Sequence, residues 1–563
     1  MNPLGALVRS RLLRLVSVAA LVVAVAGVSL WVFLRSEPGN IDDGFILMVY
    51  VRHLVEHGVI AWNLQDGPVD GCTSMLDLLV KSAVVFITRG DIVWCTFLVT
   101  AVFHVLVPLV SMAVVLRLPD GSAEKRFLAA AAVGLMLASM SSSAYGASFL
   151  LETPLYLFFV IVLLGLVIPA DRFSTAGLGS LIFAAWMVAL ARPEGLAVAI
   201  FVPGAALWMQ RKNESRFRLA AVVAIFALGC AIYEIWHYRY FGALAPNTYY
   251  AKKSEFRSNE IRDGWNYVVA FLSTSAGWVQ LGPVLVLPFA AWRGPWSSSG
   301  ARIHHATISL AALGMLAVTV YAGGDSYPNG RFLALSIALG FLAVGHGIVC
   351  SRGFLRVMFL VGAGSIVSFQ CLPLMMEGPG RFGTHVHYAM ESKGRLCEEA
   401  FAVALQRVIP TGTVAQTDFQ RVKFWCDSLR VLDLEGLSDR QIAHEPVDEP
   451  VRLGKFRPVI VLRTKPEVWI PGYKFRTRIS RFAIDPPVLS SDPETQMQRL
   501  GYDERMEVAE GDVAAALSSL YVPVSLESCG VFFNFFVRQD LAARFSEAGF
   551  LVGGSARIGG EKR

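Results

Sequence analysis

Long apolar runs separated by short polar segments fill the first two thirds of the chain and end near residue 372. A transmembrane α-helix needs about 20 mostly apolar residues to cross a bilayer. The pattern predicts about eleven such helices, several of them short, at 12–34, 92–116, 127–141, 153–169, 175–191, 194–209, 219–236, 270–292, 304–321, 332–350 and 354–372.

The first apolar run follows Arg9, Arg11 and Arg14, an arrangement that also occurs in signal peptides. It is longer than the usual apolar segment of about 7–15 residues in a signal peptide, and it lacks a clear small-residue cleavage site. We therefore expect a retained first helix with the amino terminus in the cytoplasm.

Two further segments mix apolar and polar positions at helical spacing: 45–58 (FILMVYVRHLVEHG) and 75–87 (MLDLLVKSAVVFI). The second segment is short and carries Asp77 and Lys81 one helical turn apart. The pattern predicts that both are amphipathic helices lying on the outer membrane surface.

Basic residues in the short loops indicate which side faces the cytoplasm, because such loops carry an excess of Lys and Arg. The basic groups lie at Arg117 with Lys125 and Arg126, at Arg172, at 211–218, at Arg293 with Arg302, and at Arg352 with Arg356. All five groups agree with one orientation, provided that 75–87 is not counted as a crossing.

Composition supports a polytopic membrane protein with a separate soluble part. Of the 563 residues, 54% are hydrophobic and 17% charged, against roughly 45–50% and about 25% in soluble domains. We predict a transmembrane domain at 1–372 and a soluble domain at 373–563, which an odd number of crossings places outside the cell. Helical spacing at 394–409 and strand-like runs at 456–463 and 531–538 predict a mixed α/β character for the soluble domain.

Neither the net charge of +6 nor the eight cysteines indicates nucleic-acid binding or a metal motif. The cysteines show no CxxC or Cys/His spacing, and five lie in or near apolar segments. The remaining three, Cys397, Cys426 and Cys529, would allow one disulfide if the soluble domain is extracytoplasmic.

With this topology, the unusual polar segments all fall on the outer side. They are IDDG (41–44), WN (62–63), FLLETP (149–154), ARPEG (191–195), LAPNTYYAKK (244–253) and GGDSYPNGR (323–331). Ionisable residues at membrane depth are functional candidates by default. The pattern predicts one polar cavity that opens outward.

Asp42 and Asp43 have two interpretations. A carboxylate at the outer end of the first helix can accept a proton from a substrate hydroxyl or hold a metal. Asp is also a favoured N-cap residue, which explains one of the pair more readily than both. Asp43 lies nearer the predicted helix start, so we assign the cap to Asp43 and the general base to Asp42, with both kept as catalytic candidates.

Glu152 and Glu194 each stand next to a proline at a span edge, where the helix dipole alone would favour an acid. Arg192, Lys252 and Arg331 are cations on the outer face, against the positive-inside bias. Such groups suit a phosphate, although Arg192 is also placed to pair with Glu194.

Three further residues complete the candidate set. Asp325 lies in a Gly- and Pro-rich turn, where Asp is common, but Asn329 and Arg331 follow within a few residues. Asn247 and Tyr249 lie in the LAPNTYYAKK loop. Tyr249 and Tyr250 are either aromatic-belt residues or a platform for a sugar ring.

Taken in order, IDDGFILMVYVRHLVEHGVIAWN, VDGCTSML, FLLETPLY, ARPEGL, YFGALAPNTYYAK and GGDSYPNGRFL resemble the motifs of bacterial GT-C membrane glycosyltransferases. That group includes the mycobacterial terminal arabinofuranosyltransferase family. VIPTGTVAQTD (408–418) and RVLDLEGLSDRQIAH (430–444) resemble its outer domain. The resemblance spans about 1–445 and depends on the ordered set, since no single motif suffices.

The resemblance implies an inverting transfer of a sugar from a polyprenyl-phosphate donor to an extracytoplasmic glycan or other acceptor at the plasma membrane. By position, Asp42 or Asp43 would deprotonate the acceptor, and Arg192, Lys252 and Arg331 would hold the departing phosphate. The sugar and acceptor contacts would come from Glu152, Glu194, Asn247, Tyr249 and Asp325. No cofactor is expected, although adjacent aspartates also suit Mg or Mn.

The sequence departs from the family pattern at Cys72, where an aromatic residue is usual, and at Asp77, where an indole is usual. Both departures concern the segment expected to contact lipid or acceptor. A secondary transporter or flippase is the alternative from another class. Transporters usually contain internal repeats and a polar midplane, whereas this sequence has no evident repeat and its polar groups lie at one surface.

Overall fold

The computed structural model describes residues 3–35, 42–167, 175–209, 213–252, 257–293, 296–325, 330–376, 393–416, 420–433, 436–444, 468–470, 521–528 and 531–552. Within these ranges, the part before residue 377 is helical. Its helices are α1 Pro3–Arg35, α2 Asp42–His57, α3 Met75–Thr88, α4 Ile92–Leu116, α5 Ala123–Ala138, α6 Ser141–Ser148, α7 Thr153–Val167, α8 Thr175–Ala191, α9 Gly195–Met209, α10 Asn213–Phe241, α11 Asn247–Lys252, α12 Arg257–Leu272, α13 Ser275–Arg293, α14 Ser299–Tyr321, α15 Ala334–Cys350 and α16 Gly353–Met376.

Several of these helices are long and apolar enough to cross a membrane. Among the described residues six meet the length and composition requirement, and the number rises to 8 if each of two bent pairs forms one span. The pairs bend by 43° between α5 and α6 and by 115° between α12 and α13. Three shorter apolar helices lie at 153–167, 177–191 and 195–204. The chain is therefore a multi-pass membrane protein, and the count of eleven stays a prediction.

Helix α15 forms the centre of the bundle. All of its residues are buried, which fits its apolar character on every face. Gly345 and Gly347 allow the close packing, because a Cβ at either position would lie 2.4 Å from Val133 or 2.5 Å from Phe359. Arg331, one of the candidate site residues, lies in a short 3₁₀ helix, Arg331–Leu333, directly before α15.

The two segments predicted as surface helices are α2 and α3. Ser74 caps α3 by accepting a hydrogen bond from the backbone N–H of Asp77 at 3.1 Å, and Asp91 caps α4 through the N–H of Trp94 at 2.8 Å. Side-chain caps of this kind satisfy N–H groups that a helix start leaves without a partner. These caps explain why α3 begins after Ser74 and why α4 begins after Asp91.

The described residues after 392 form short helices and a six-stranded sheet. The helices are α17 Lys393–Val408, α18 Gln420–Trp425, α19 Arg440–His444 and α20 Ala542–Glu547. The strands are β1 Thr413–Gln416, β2 Arg430–Asp433, β3 Val468–Ile470, β4 Tyr521–Ser528, β5 Val531–Arg538 and β6 Leu551–Val552, in the order β2-β1-β3-β5-β4-β6.

Strand β1 pairs in parallel with β2 and β3, and the other pairs are antiparallel. The predicted helix at 394–409 corresponds to α17, and the predicted strand at 531–538 has the bounds of β5. The predicted strand at 456–463 lies outside the described residues. Cys426 is buried as a free thiol, and the side chains of Cys397 and Cys529 are outside the description.

Two apolar cores hold the chain together. One lies inside the helical bundle around α15. The other contains residues of α2, α3 and the start of α4 together with residues of α17, α18 and the sheet. Because α2 and α3 contribute to the second core, they link the membrane part to the domain formed by the described residues after 392, which we call the later domain.

Candidate functional site

Six charged residues from four separate chain segments come together at one end of the bundle. We call them the arginine–carboxylate cluster: Asp43, Glu152, Arg192, Glu194, Asp325 and Arg331. All six are residues that the sequence marked as candidates, and they lie at the beginnings or ends of helices α2, α7, α8, α9, α14 and α15.

Arg331 and Asp325 form a two-point ion pair. The Nε of Arg331 donates to Oδ2 of Asp325, and Nη2 donates to Oδ1 at 3.0 Å. The side chains are only 8% and 4% exposed. A bidentate pair between a guanidinium and a carboxylate fixes the orientation of both groups, so this pair closes the turn between α14 and α15.

Asp43 is the most open carboxylate of the cluster. Its side chain is 33% exposed, and its Oδ2 lies 3.6 Å from Nη2 of Arg331, beyond ordinary hydrogen-bond distance. Asp43 therefore keeps an accessible carboxylate oxygen, whereas the side chain of Asp42 lies outside the described residues.

Arg192 bridges two glutamates. Its Nη1 donates to Glu152 at 2.7 Å, and its Nε donates to Glu194 at 2.5 Å. Burial alone would lower the pKa of Arg192, but the charges of Glu194 and Glu152 raise it above its usual value. Among the described residues, the two N–H groups on Nη2 take no part in these ion pairs, so the guanidinium keeps donors for a further anion.

Phe332 lies between the two arginines. The guanidinium carbon of Arg192 is 4.7 Å from the ring centroid, and that of Arg331 is 5.2 Å from it. Each contact is within the range of a cation–π interaction. Sequence reasoning did not select Phe332, although the family motif GGDSYPNGRFL contains it. The shared ring brings two cations from distant segments to one place.

Two glycines allow the turns that carry the arginines. A Cβ at Gly195 would lie 2.0 Å from the carbonyl oxygen of Val188, so the ARPEG turn can fold back onto α8 only without a side chain. Gly330 has φ +80°, and a Cβ there would lie 2.4 Å from the ring of Phe271. Glycine is the residue suited to both constraints.

The buried pair Asp77–Lys81 supports the loop before Glu152. The Nζ of Lys81 donates to Asp77 and to the carbonyl oxygen of Leu150, each at 2.7 Å. Leu150 has φ +59°, an uncommon conformation for a non-glycine residue. Burial raises the pKa of Asp77 to about 6 even though Lys81 lowers it. Lys81 therefore stabilises a strained turn of the FLLETP motif.

Other polar motif residues connect the bundle to the later domain. Asn247 donates its side-chain amide to the carbonyl oxygens of Gly436, Leu437 and Asp439 at 2.7, 3.2 and 3.1 Å. Asn63 of the WN motif exchanges two hydrogen bonds of 2.9 Å with the backbone of Val431. These amides contribute to domain docking in addition to any contact with a ligand.

Tyr249 and Lys252 lie in α11, the helix that starts at Asn247. Tyr249 is 54% exposed, and its ring meets that of Tyr250 edge-on with 5.5 Å between centroids. The side chain of Lys252 lies outside the described residues. The structure thus brings six of the predicted residues into one cluster and places Asn247 at the domain contact.

Another buried pair of side chains lies near this contact. Nε2 of His237 is 2.9 Å from Oδ2 of Asp70, and both side chains are at least nine-tenths buried. Burial raises the pKa of Asp70, and the bond and charge of His237 oppose that rise. Asp70 begins the DGCT segment, so this motif also serves to join α10 to the loop before α3.

The fold is similar to those of several solved structures. One is ArnT from Cupriavidus metallidurans in the apo state, with a TM-score of 0.51 and 11% identity over 94% of this chain and 99% of that chain. ArnT bound to undecaprenyl phosphate matches with a TM-score of 0.45 and 14% identity over 74% and 86%. The oligosaccharyltransferase AglB from Archaeoglobus fulgidus, in complex with an inhibitory peptide and a dolichol-phosphate, matches with 0.45 and 10% over 92% and 74%.

The match to apo ArnT spans nearly the whole of both chains. This chain shares the fold of ArnT. No protein-family model matches the sequence, and no curated protein sequence matches it either. The arabinofuranosyltransferase resemblance therefore stays a prediction from the motifs, and the fold itself is independent of it.

Proposed function

We propose that this chain is an inverting glycosyltransferase that moves a sugar from a polyprenyl-phosphate donor to an extracytoplasmic cell-envelope glycan or other acceptor. The observation that carries the proposal is the arginine–carboxylate cluster within a fold shared with ArnT. The buried guanidinium of Arg331 lies 3.6 Å from the partly exposed carboxylate of Asp43, and the guanidinium of Arg192, from a distant segment, contacts the same Phe332 ring as Arg331. Arabinofuranose is the first sugar to test, because the motif resemblance points to it.

The reaction assigns a different task to each kind of group. An aspartate of the Asp42–Asp43 pair takes the proton of the acceptor hydroxyl as its oxygen attacks the anomeric carbon. The bond from that carbon to the phosphate oxygen breaks, and polyprenyl phosphate leaves from the opposite face. Fixed positive groups stabilise the charge that develops on the leaving phosphate, often a large part of catalysis.

Arg192, Lys252 and Arg331 are the proposed phosphate contacts. Arginine suits this task because its planar N–H groups match phosphate oxygens. Bonds to Asp325 and Glu152 hold the two arginines in place before the donor arrives, so little reordering is needed on binding.

The remaining carboxylates, Glu152, Glu194 and Asp325, are the proposed contacts to sugar or acceptor hydroxyls, along with Asn247 and Tyr249. We propose that transfer needs no metal, because the arginines supply positive charge beside the leaving group. The expected partners are the lipid-linked donor, the glycan acceptor and membrane lipid, in the plasma membrane with the later domain outside the cell.

The test measures transfer of radiolabelled sugar from a panel of polyprenyl-phosphate donors to envelope glycans, in membranes that contain the wild-type chain. We expect labelled product at a rate unchanged by EDTA. Sealed vesicles of the same preparation serve to measure solute uptake in parallel. Uptake of solute without transfer from any donor would show that the chain is a transporter instead.

A further inference from the structure

A group of metal-ligating side chains lies at the opposite end of α15 from the arginine–carboxylate cluster. One donor atom each of Asp120, His304 and His346 lies within 4.8 Å of the others. Arg331 and His346 are separated by most of the length of α15, about 1.5 Å per residue. The group is thus separate from the proposed sugar-transfer site. We propose that Asp120, His304 and His346 bind a divalent transition-metal ion of the zinc type.

The three residues come from three different chain segments. Asp120 lies in the loop between α4 and α5, His304 in the first turns of α14, and His346 in the last turn of α15. Such ligands leave no short spacing motif in the sequence. A metal at this point would join three segments that are otherwise far apart along the chain.

His346 supplies an independent indication of a missing partner. Its side chain is 97% buried, since only 3% is exposed, and its Nδ1 has no hydrogen-bond partner among the described residues. The other ring nitrogen lies 3.6 Å from the sulfur of Cys350. A buried polar atom without a partner costs free energy, and a bound cation would remove that cost.

The backbone around the group is already held in place. A Cβ at Gly121 would lie 2.7 Å from Cγ1 of Val349, so the α4–α5 loop packs directly against the end of α15. Ser297 donates its N–H to the carbonyl of Cys350 at 2.8 Å, and Ser298 caps α14 at 3.0 Å. Ligands on helix ends fixed in this way need little rearrangement to close around an ion.

The donor chemistry favours zinc or a similar ion over magnesium. Imidazole nitrogen suits zinc, copper, nickel and iron, whereas magnesium prefers an all-oxygen shell. Asp120 supplies the negative charge, and because Asp120 is half-buried and His304 is exposed, solvent has a path to the group. Water can complete the coordination.

Nearby basic residues oppose the binding of a cation, and two of them are already engaged with backbone carbonyl oxygens. Arg126 donates to the carbonyl of Leu118 at 2.8 Å, and Arg356 donates to that of Ile348 at 3.1 Å. These guanidiniums are held on backbone oxygens. A purely electrostatic explanation for Asp120, as a counter-charge to the basic loops, makes no use of either histidine, so the histidines distinguish the two explanations.

The test uses the full-length, tag-free protein, purified in detergent and stripped of metal with a chelator. Zinc chloride is added back while the bound zinc and the thermal unfolding temperature are measured. A cobalt titration reports the ligand field by its visible absorption. We expect one equivalent of zinc, a higher unfolding temperature, and a cobalt spectrum with nitrogen and oxygen ligands.

His304→Gln and Asp120→Asn are the informative variants, because both side chains reach solvent and we expect their replacement to leave the packing of the metal-free protein unchanged. Each is expected to lower zinc affinity at least about tenfold. Loss of a group that only orients a metal ligand already costs about this much, and loss of a ligand itself should cost no less. His57→Gln, an exposed histidine in α2, is the matched control and keeps wild-type binding. Wild-type protein that takes up no zinc, or a His304→Gln variant that binds it normally, would overturn the proposal.

Discussion

At the residue scale, the site depends on which guanidinium nitrogen meets which carboxylate. Arg331 uses Nε and Nη2 on Asp325, and Arg192 uses Nε and Nη1 on its two glutamates. A lysine in either position would keep the charge but lose the fixed fork geometry. The positions of the charges, and not their number alone, determine how a phosphate is held.

Arg331→Lys tests this geometry. Because a single ammonium cannot make the two-point contact with Asp325, we expect kcat for sugar transfer to fall roughly 10²–10³-fold, the usual loss for one stabilising donor. Initial rates at saturating donor give the comparison. Arg262→Lys is the matched control, since Arg262 is 68% exposed, and equal rates for the two variants would contradict the role of Arg331.

Sequence reasoning identified the members of the cluster and the pairing of Arg192 with Glu194, but not the other contacts. Asp43, Glu152, Arg192 and Arg331 stand out because charged residues at the ends of apolar runs are unusual. The pairing of Arg192 with Glu152, 40 residues away, depends on how helices pack, which no local pattern encodes. For the same reason Phe332, an ordinary apolar residue in sequence, could not be selected.

At the element scale, helix α3 stabilises the loop that carries Glu152. Its Asp77 and Lys81 looked like the polar face of a surface helix, yet their side chains are 2% and 0% exposed. The Nζ of Lys81 also donates a hydrogen bond to the carbonyl oxygen of Leu150. Burial and hydrogen bonding of this kind make α3 part of the framework for Glu152 rather than only a membrane-surface helix.

Lys81→Met removes the hydrogen bond to Leu150 and the charge that faces Asp77. We expect the free energy of unfolding to fall by about 1–3 kcal/mol, which is the cost of an unsatisfied buried acceptor. Because the pKa of Asp77 is already raised to about 6, its carboxyl can take up a proton at low pH and avoid an uncompensated charge. The loss is therefore smaller at pH 5 than at pH 8.

Thermal unfolding of the purified protein at the two pH values measures the effect of Lys81→Met. The double variant Asp77→Asn with Lys81→Met serves as the control, because it lacks the carboxyl at position 77 and should lose the part of the pH dependence that Asp77 contributes to the single variant. A Lys81→Met protein as stable as wild type at pH 8 would show that the pair does not support the loop.

Bends were the element-scale feature that the sequence did not predict. The apolar run at 127–141 reads as one span, but α5 and α6 meet there at 43°. The apolar run at 270–292 likewise gives no sign of the 115° bend between α12 and α13. A hydropathy pattern gives the length of an apolar segment but not the direction of the helix axis. The number of membrane-spanning helices therefore could not be determined from it.

At the scale of the whole molecule, polar contacts attach the later domain to α2 and its neighbouring loop. His53 of α2 lies 2.6 Å from Asp427, and Lys423 lies 3.3 Å from the same carboxylate. Burial raises the pKa of Asp427, but the hydrogen bond from His53 and the charge of Lys423 bring it well below its usual value. The amides of Asn63 and Asn247 add neutral contacts to this junction.

The lowered pKa of Asp427 predicts a pH dependence of docking. A depressed carboxylate pKa contributes stability that is complete above the unfolded value of about 3.9 and is lost as pH falls toward the folded value. Asp427→Asn should therefore lower the unfolding temperature at pH 7, and the difference from wild type should shrink below about pH 4. Asp263→Asn, at a 62% exposed position, is the control.

Thermal unfolding between pH 3 and 8 checks this expectation. A difference that stays constant across the whole range would mean that the ionised form of Asp427 does not contribute to docking. The sequence predicted separate membrane and soluble parts, but it could not predict that the WN and LAPNTYYAKK motifs join them. Those contacts link residues more than 180 positions apart, and only the folded chain brings them together.

The most direct test of the central claim compares sugar transfer by wild type, Asp42→Asn and Asp43→Asn, with matched expression and with donor binding measured separately. We predict that wild type transfers sugar from a polyprenyl-phosphate donor, and that at least one Asn variant binds the donor but loses transfer. If both variants transfer sugar at the wild-type rate, neither aspartate is the general base and the proposed role of the cluster is wrong.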